Sequence, residues 1–196
     1  MNVGALVDLL FPPQCGGCAA AGSGLCDRCA PPGSSVSRQL PTLRVDALGI
    51  YEGDLRRAVL ALKSGRRDVA HACAMRLAQF TGAADVLVPV PTTPLRRRER
   101  GFDGCVLMAR TIARAVAANS LPGLRQVRGD RQRGRSREAR LAAHGRFAWR
   151  GEPLAQMEIV LLDDVVTTGS TLEDCACVLR AAGATVSRAV AIALTA

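Results

Sequence analysis

The chain has 196 residues and a formal net charge of +9, with 48% apolar residues but only 3% aromatic ones. That length accommodates one ordinary α/β domain plus a small appendage, and the composition suits helices packed on a sheet of Val, Leu and Ala. No window approaches the roughly 18 apolar residues of a membrane span. Met1 to Cys18 lacks a basic leader, carries Asp8 and is interrupted by Pro12-Pro13, so it does not read as a signal peptide, and a cytoplasmic protein is expected. The positive charge points to a polyanionic ligand or partner. Lys63 is the only lysine among 26 basic residues, an arginine bias that codon composition can produce, so the sign of the charge is more informative than the choice of Arg.

Leu6 to Phe11 is a short apolar segment closed by Pro12-Pro13. Cys15-Gly-Gly-Cys18 and Cys26-Asp-Arg-Cys29 follow, with seven residues between them. Two such pairs this close suit one tetrahedral four-thiolate zinc ion, each pair biting from a tight turn that Gly16-Gly17 permits. No His or carboxylate completes an open catalytic site, so the zinc is expected to be structural, holding a segment too small for its own core. The Ser- and Pro-rich stretch Pro31 to Pro41 reads as a linker. The expected division is a zinc module with linker over residues 1–40 and a main domain over 41–196.

Val45 to Tyr51 alternates weakly and predicts an edge strand. Leu55, Val59 and Leu62 share a helical face that ends at Lys63-Ser-Gly65, and a second helix over Asp68 to Phe80 would bury Val69, Cys73 and Leu77. His71 and Cys73 lie on different faces of it and read as surface and packing residues. Asp85 to Pro91 is a buried strand. It runs into Pro91-Thr92-Thr93-Pro94-Leu95-Arg96-Arg97-Arg98-Glu99-Arg100, which reads either as a solvated basic turn or as a pyrophosphate site formed by backbone, Thr93 and the arginines Arg96, Arg97 and Arg100. A helix from Asp103 to about Ala118 would bury Val106, Ala109, Ala113 and Val116, and Leu124 to Val127 reads as a short strand.

Arg128 to Arg146 is the most basic and least periodic stretch, holding Arg131, Arg133, Arg135, Arg137 and Arg140. It has the composition of a loop, and two readings compete: a lid over a phosphorylated substrate, or a strip for the backbone of single-stranded DNA. Only Phe147 and Trp149, at its end, offer stacking surfaces; His144 reads as a surface residue.

The chain is organised around Ile159 to Thr171. Four apolar residues of a buried parallel strand end in Asp163-Asp164, a Thr/Gly/Ser run follows, and then Leu172, Cys175, Ala176, Leu179 and Ala182 fall at helical spacing up to Gly183. Ser170 with Glu173, and Thr171 with Asp174, fit a capping box. The loop between a strand's carboxyl end and a helix N-terminus is where α/β sheets bind phosphorylated ligands. Val166, Thr167, Thr168, Gly169, Ser170 and Thr171 would hold a 5-phosphate through N–H groups and hydroxyls, while the carboxylates of Asp163 and Asp164 accept hydrogen bonds from vicinal ribose hydroxyls. Cys175 and Cys177 lie about 200° apart on the helix and cannot chelate together. Thr185 to Leu194 is the last strand.

The Asp163 to Thr171 string closely resembles the phosphoribosyl pyrophosphate (PRPP) motif of type I phosphoribosyltransferases. In order along the chain stand Leu10-Phe11-Pro12-Pro13 with the cysteine pairs, Tyr51-x-Gly53, Leu62-Lys63-x-Gly65, Val88-Pro89-Val90-Pro91, Arg100-Gly101-Phe102, Gln132 with Ser136 and Arg140, and the PRPP loop. This set resembles the ComF competence-protein family over nearly the whole chain. The resemblance implies an α/β fold of the type I phosphoribosyltransferase kind, a parallel sheet with helices on both faces, behind a zinc module. It implies PRPP with Mg²⁺ as ligand, with Asp163 and Asp164 in the catalytic site. It also implies a role in DNA uptake or processing during natural transformation, or in using DNA-derived bases, possible partners being other competence or DNA-processing proteins; the alternative is a stand-alone salvage phosphoribosyltransferase. Departures fall at Asp103-Gly104, where the family has Asn-Gln, at Arg135, where it has Leu, and after Arg140. They leave the ribose-phosphate loop intact, while Asp103 beside a pyrophosphate would oppose its charge.

Overall fold

The computed structural model describes residues 12–82, 84, 86–127 and 146–196. The segment Leu6 to Phe11, His144 and the arginines Arg131, Arg133, Arg135, Arg137 and Arg140 lie outside the described residues. Along the chain run β1 (Val36–Gln39), β2 (Arg44–Ile50), α1 (Gly53–Lys63), α2 (Arg67–Thr81), β3 (Val86–Pro89), α3 (Pro94–Arg100) and α4 (Gly104–Ala115). After them come β4 (Asn119–Ser120), β5 (Leu124–Gln126), β6 (Phe147–Trp149), β7 (Glu158–Val166), α5 (Ser170–Ala181) and β8 (Thr185–Leu194).

Six strands form one sheet in the order β1-β2-β8-β7-β3-β4, parallel throughout except that β1 runs antiparallel to β2. β5 and β6 pair apart from it as a small antiparallel ribbon. The apolar run of β7 explains the layering. Ile159 and Leu161 join the core under α5, whereas Val160 and Leu162 join the core under α1, α2 and α4. A central strand buried on both faces needs apolar residues at every position, and that requirement produces the uninterrupted pattern seen in sequence. The expected parallel sheet with helices on both faces is therefore present.

Several local expectations change. The stretch read as a linker contains β1, and β2, expected at the edge, lies between β1 and β8. The Arg-rich turn after β3 is partly helical. Thr93 caps α3 by accepting from the Arg96 N–H, and Pro94 sits at its first turn, where its missing N–H costs nothing. No residue of α3 is buried. The buried face of α4 centres on Cys105, Met108, Ala109, Ile112 and Ala113, while Val106 and Val116 are only partly covered.

The cysteine segment packs directly on α1 and α2. Cys15, Leu25 and Ala30 belong to the same apolar core as Val59, Val69 and Leu77. An added Cβ at Gly16 would lie 2.8 Å from Val69 Cγ2, and one at Gly17 2.9 Å from the Asp54 carbonyl oxygen. The expected turn is present over residues 16–18, closed by the Ala19 N–H on the Cys15 carbonyl at 2.9 Å. Neither glycine has positive φ, so it is the close approach that requires glycine there.

Candidate active site and metal centre

Asp163 and Asp164 follow Leu162 at the carboxyl end of β7, and the chain leaves the sheet at Val166 to enter α5. Gly169 makes the corner at φ 82°, where an added Cβ would come within 2.5 Å of Leu40 Cδ1. Glycine is required there for both backbone and packing reasons. The expected capping boxes do not form: Gly169 is the N-cap and no side chain caps from it. The Glu173 carboxylate instead accepts the Thr42 N–H at 2.9 Å, and Asp174 accepts from Arg146 Nε at 2.6 Å. Within the loop, the Thr168 hydroxyl accepts the Ser170 N–H at 3.3 Å.

These elements face a cavity of about 440 Å³. Asp163, Asp164, Thr167 and Thr171 line it from the β7–α5 side, and Pro91, Thr92, Thr93, Arg96 and Arg100 from the loop after β3. Two loops separated in sequence thus converge because β3 and β7 are adjacent parallel strands whose carboxyl ends point the same way. Arg97 instead lines a neighbouring cavity of about 450 Å³ with Arg110 and Arg125. Val166 is buried, and Thr168 and Ser170 are exposed at the rim. Asp103 lines the neighbouring cavity and not the one that holds Asp163 and Asp164. Its carboxylate caps α4, accepting the Val106 N–H at 3.2 Å and the Thr92 hydroxyl at 3.4 Å, which ties the loop after β3 to α4.

The two carboxylates are not equivalent. Asp163 accepts the Asp164 N–H at 2.8 Å and pairs with no cation among the described residues. Burial, and then the neighbouring Asp164 charge, push its carboxyl up to about 7. Asp164 accepts the Val165 N–H at 2.8 Å on one oxygen, and its other oxygen lies 3.3 Å from Lys63 Nζ. A hard divalent cation shared between a carboxylate and a phosphorylated ligand suits such oxygen donors.

Three contributors were not assigned to the site from sequence, although Lys63 lies in the Leu62-Lys63-x-Gly65 motif and Arg146 in the basic stretch. Lys63 closes α1 and lines the cavity; its signal was being the single lysine in an Arg-rich chain. Arg38, in the presumed linker, donates to the Thr167 carbonyl at 2.5 Å and to the Thr195 carbonyl, tying the loop that enters α5 to β1. No local pattern marks it. Arg146, at the end of the basic stretch, lines the cavity while pairing with the nearly buried Asp174.

The sulfurs of Cys15, Cys18, Cys26 and Cys29 lie within 4.8 Å of one another, and none is in a disulfide. The separations Cys15–Cys29 (3.7 Å), Cys18–Cys26 (3.6 Å) and Cys26–Cys29 (3.6 Å) match the edge of about 3.8 Å in a tetrahedron with metal–sulfur bonds of about 2.3 Å. The N–H groups of Gly17 and Cys26 point at Cys15 Sγ, and the Ala20 N–H is foremost in lowering the Cys18 thiol to about 6. Amides aimed at sulfur favour thiolates, the form that binds metal. The set fits one tetrahedral soft-ligand ion.

No family model matches the chain. The competence protein ComFC of Bacillus subtilis (strain 168) is 33% identical over 87 residues, which span 44% of this chain and 35% of that relative. Among solved structures, the glutamine PRPP amidotransferase of B. subtilis, complexed with ADP and GMP, superposes with a TM-score of 0.45 at 24% identity, covering 66% of this chain and 26% of that one. Orotate phosphoribosyltransferase from Aeropyrum pernix gives 0.43 at 21%, covering 71% and 64%. No helix among the described residues is long and apolar enough to cross a membrane. The chain resembles ComFC in sequence and combines a mostly parallel α/β sheet with a four-cysteine cluster near its N-terminus.

Proposed function

We propose that the chain is a ComF-type phosphoribosyltransferase-like protein that binds PRPP with Mg²⁺ in the main cavity. The supporting observation is the convergence on one cavity of a carboxylate pair, the loop entering α5, and an arm bearing Arg96 and Arg100. On this reading Asp163 and Asp164 hold the ribose hydroxyls, Thr167 and Thr171 reach the 5-phosphate, and Thr92, Thr93, Arg96 and Arg100 surround the pyrophosphate. Mg²⁺, when bound with PRPP, neutralises pyrophosphate charge. In transfer, the bond from C1 to pyrophosphate breaks, pyrophosphate leaves with the electron pair, and an acceptor nitrogen bonds to C1 and gives up its proton. The protein contributes orientation and charge neutralisation. The role is the processing of DNA, or of bases derived from it, in natural transformation, supported by the match to ComFC. Zn²⁺ on the four cysteines is structural.

Calorimetric titration with PRPP and Mg²⁺ tests this, run beside an Asp163→Asn/Asp164→Asn double variant. Saturable binding that disappears in the variant is expected. Absence of heat in the wild-type protein would overturn the ligand assignment.

A further inference from the structure

Lys63 ends α1 and is the only lysine in the chain. Its Nζ lies 3.3 Å from Asp164 Oδ2, with both side chains partly open to the cavity. The other oxygen of Asp164 already takes the Val165 N–H. Each oxygen of Asp164 therefore already has one partner within the protein, and a sugar hydroxyl that approaches Oδ2 from the cavity competes with the ammonium for it. A neutral diol gains little from displacing a cation from a carboxylate, because the exchange gives up an ion pair for a hydrogen bond from an uncharged donor. An anion held beside that diol changes the balance, since it offers the ammonium a new partner.

The end of α1 is suitably placed for this exchange. A Cβ on Gly65, two residues beyond Lys63, would lie 3.6 Å from the Arg100 carbonyl oxygen, so the turn after Lys63 abuts the end of α3. Lys63 thus lines the same cavity as the acidic pair and the Arg96 and Arg100 arm, beside a turn that abuts that arm. Its chemistry also suits a moving contact. An ammonium is a compact charge with three rotatable donors on a flexible stem, whereas a guanidinium is a rigid planar fork.

We infer that Lys63 is a specificity-determining residue: it occupies Asp164 until a phosphate on C1 of the sugar draws it away. The inference rests on the ribose-phosphate reading of the cavity. Its consequence is that a ribose 5-phosphate lacking an anomeric phosphate is disfavoured, because it meets Asp164 still paired. Ribose hydroxyls and C1 phosphate are bound together, through the coupling of one mobile cation to two partners.

The test compares PRPP and ribose 5-phosphate by calorimetry on wild-type protein and Lys63→Met. PRPP binding should weaken and ribose 5-phosphate binding should hold or tighten, lowering the affinity ratio by roughly tenfold or more. An equal loss for both ligands would show that Lys63 only fixes Asp164, and would overturn the inference. If the wild-type protein binds PRPP and the ratio is unchanged in the variant, the inference falls while the PRPP site stands; if the wild-type protein binds no PRPP, both fall. Should Lys63→Met fail to fold, wild-type protein decides the matter. Reductive methylation with ¹³C-formaldehyde labels its single lysine, resolved from the terminal amine. That signal should move on addition of PRPP and stay in place with ribose 5-phosphate. A signal unmoved by PRPP would overturn the inference.

Discussion

At Asp163, a short string of residue types and its surroundings together set the chemistry. The carboxyl is pushed up to about 7, first by burial and then by Asp164, so the folded protein holds a proton that the unfolded chain, with an ordinary carboxyl near 4, releases earlier. Folding is therefore favoured on the acid side, and that contribution is lost as pH rises from about 4 through about 7. In urea denaturation at about pH 5 and about pH 8, the wild-type protein should lose stability relative to Asp163→Asn over that interval. Equal pH dependence of the two proteins would refute the buried-acid description. The residue types of this site were legible because a carboxylate pair before a Thr/Gly/Ser loop is local sequence. Its division of labour was not, since Lys63 approaches Asp164 from a helix far earlier in the chain.

The elements were legible wherever burial imposes a period. Leu55, Val59 and Leu62 on α1, and Val69, Cys73 and Leu77 on α2, are buried as their spacing predicts. The apolar run of β7 follows from its place between β3 and β8. α3 was missed because it buries nothing, leaving only the Thr93-Pro94 cap as a signal. β1 was missed because an edge strand alternates half-buried and exposed residues without a strong apolar pattern. Yet β1 supplies Arg38, which holds the Thr167 carbonyl. Arg38→Met should cost about 1 kcal/mol of stability and weaken the proposed PRPP binding several-fold by loosening the loop that enters α5. Denaturation and calorimetry on the same preparation separate the two effects; unchanged affinity would mean that the loop holds its shape unaided.

Across the whole molecule, the cysteine segment and the sheet share one core, through Cys15, Leu25 and Ala30 against α1 and α2. Metal analysis should find one Zn²⁺ per chain. Chelation or Cys18→Ser should lower a single calorimetric transition by roughly 10 °C or more, because losing the ion releases apolar surface that belongs to the main core. Two separate transitions would show that the segment folds independently. The sequence by itself determined the buried strands, the long helices, the four-thiolate set and the acidic loop, because each depends on spacing within one stretch and on burial that repeats with the element's own period. Only the tertiary structure decided that β2 is interior, that Gly16 and Gly17 serve packing, that Asp103 is a cap, and that Lys63, Arg38 and Arg146 support the cavity. Those facts depend on which distant segments meet, and a contact between residues far apart in sequence leaves no periodic trace in either of them.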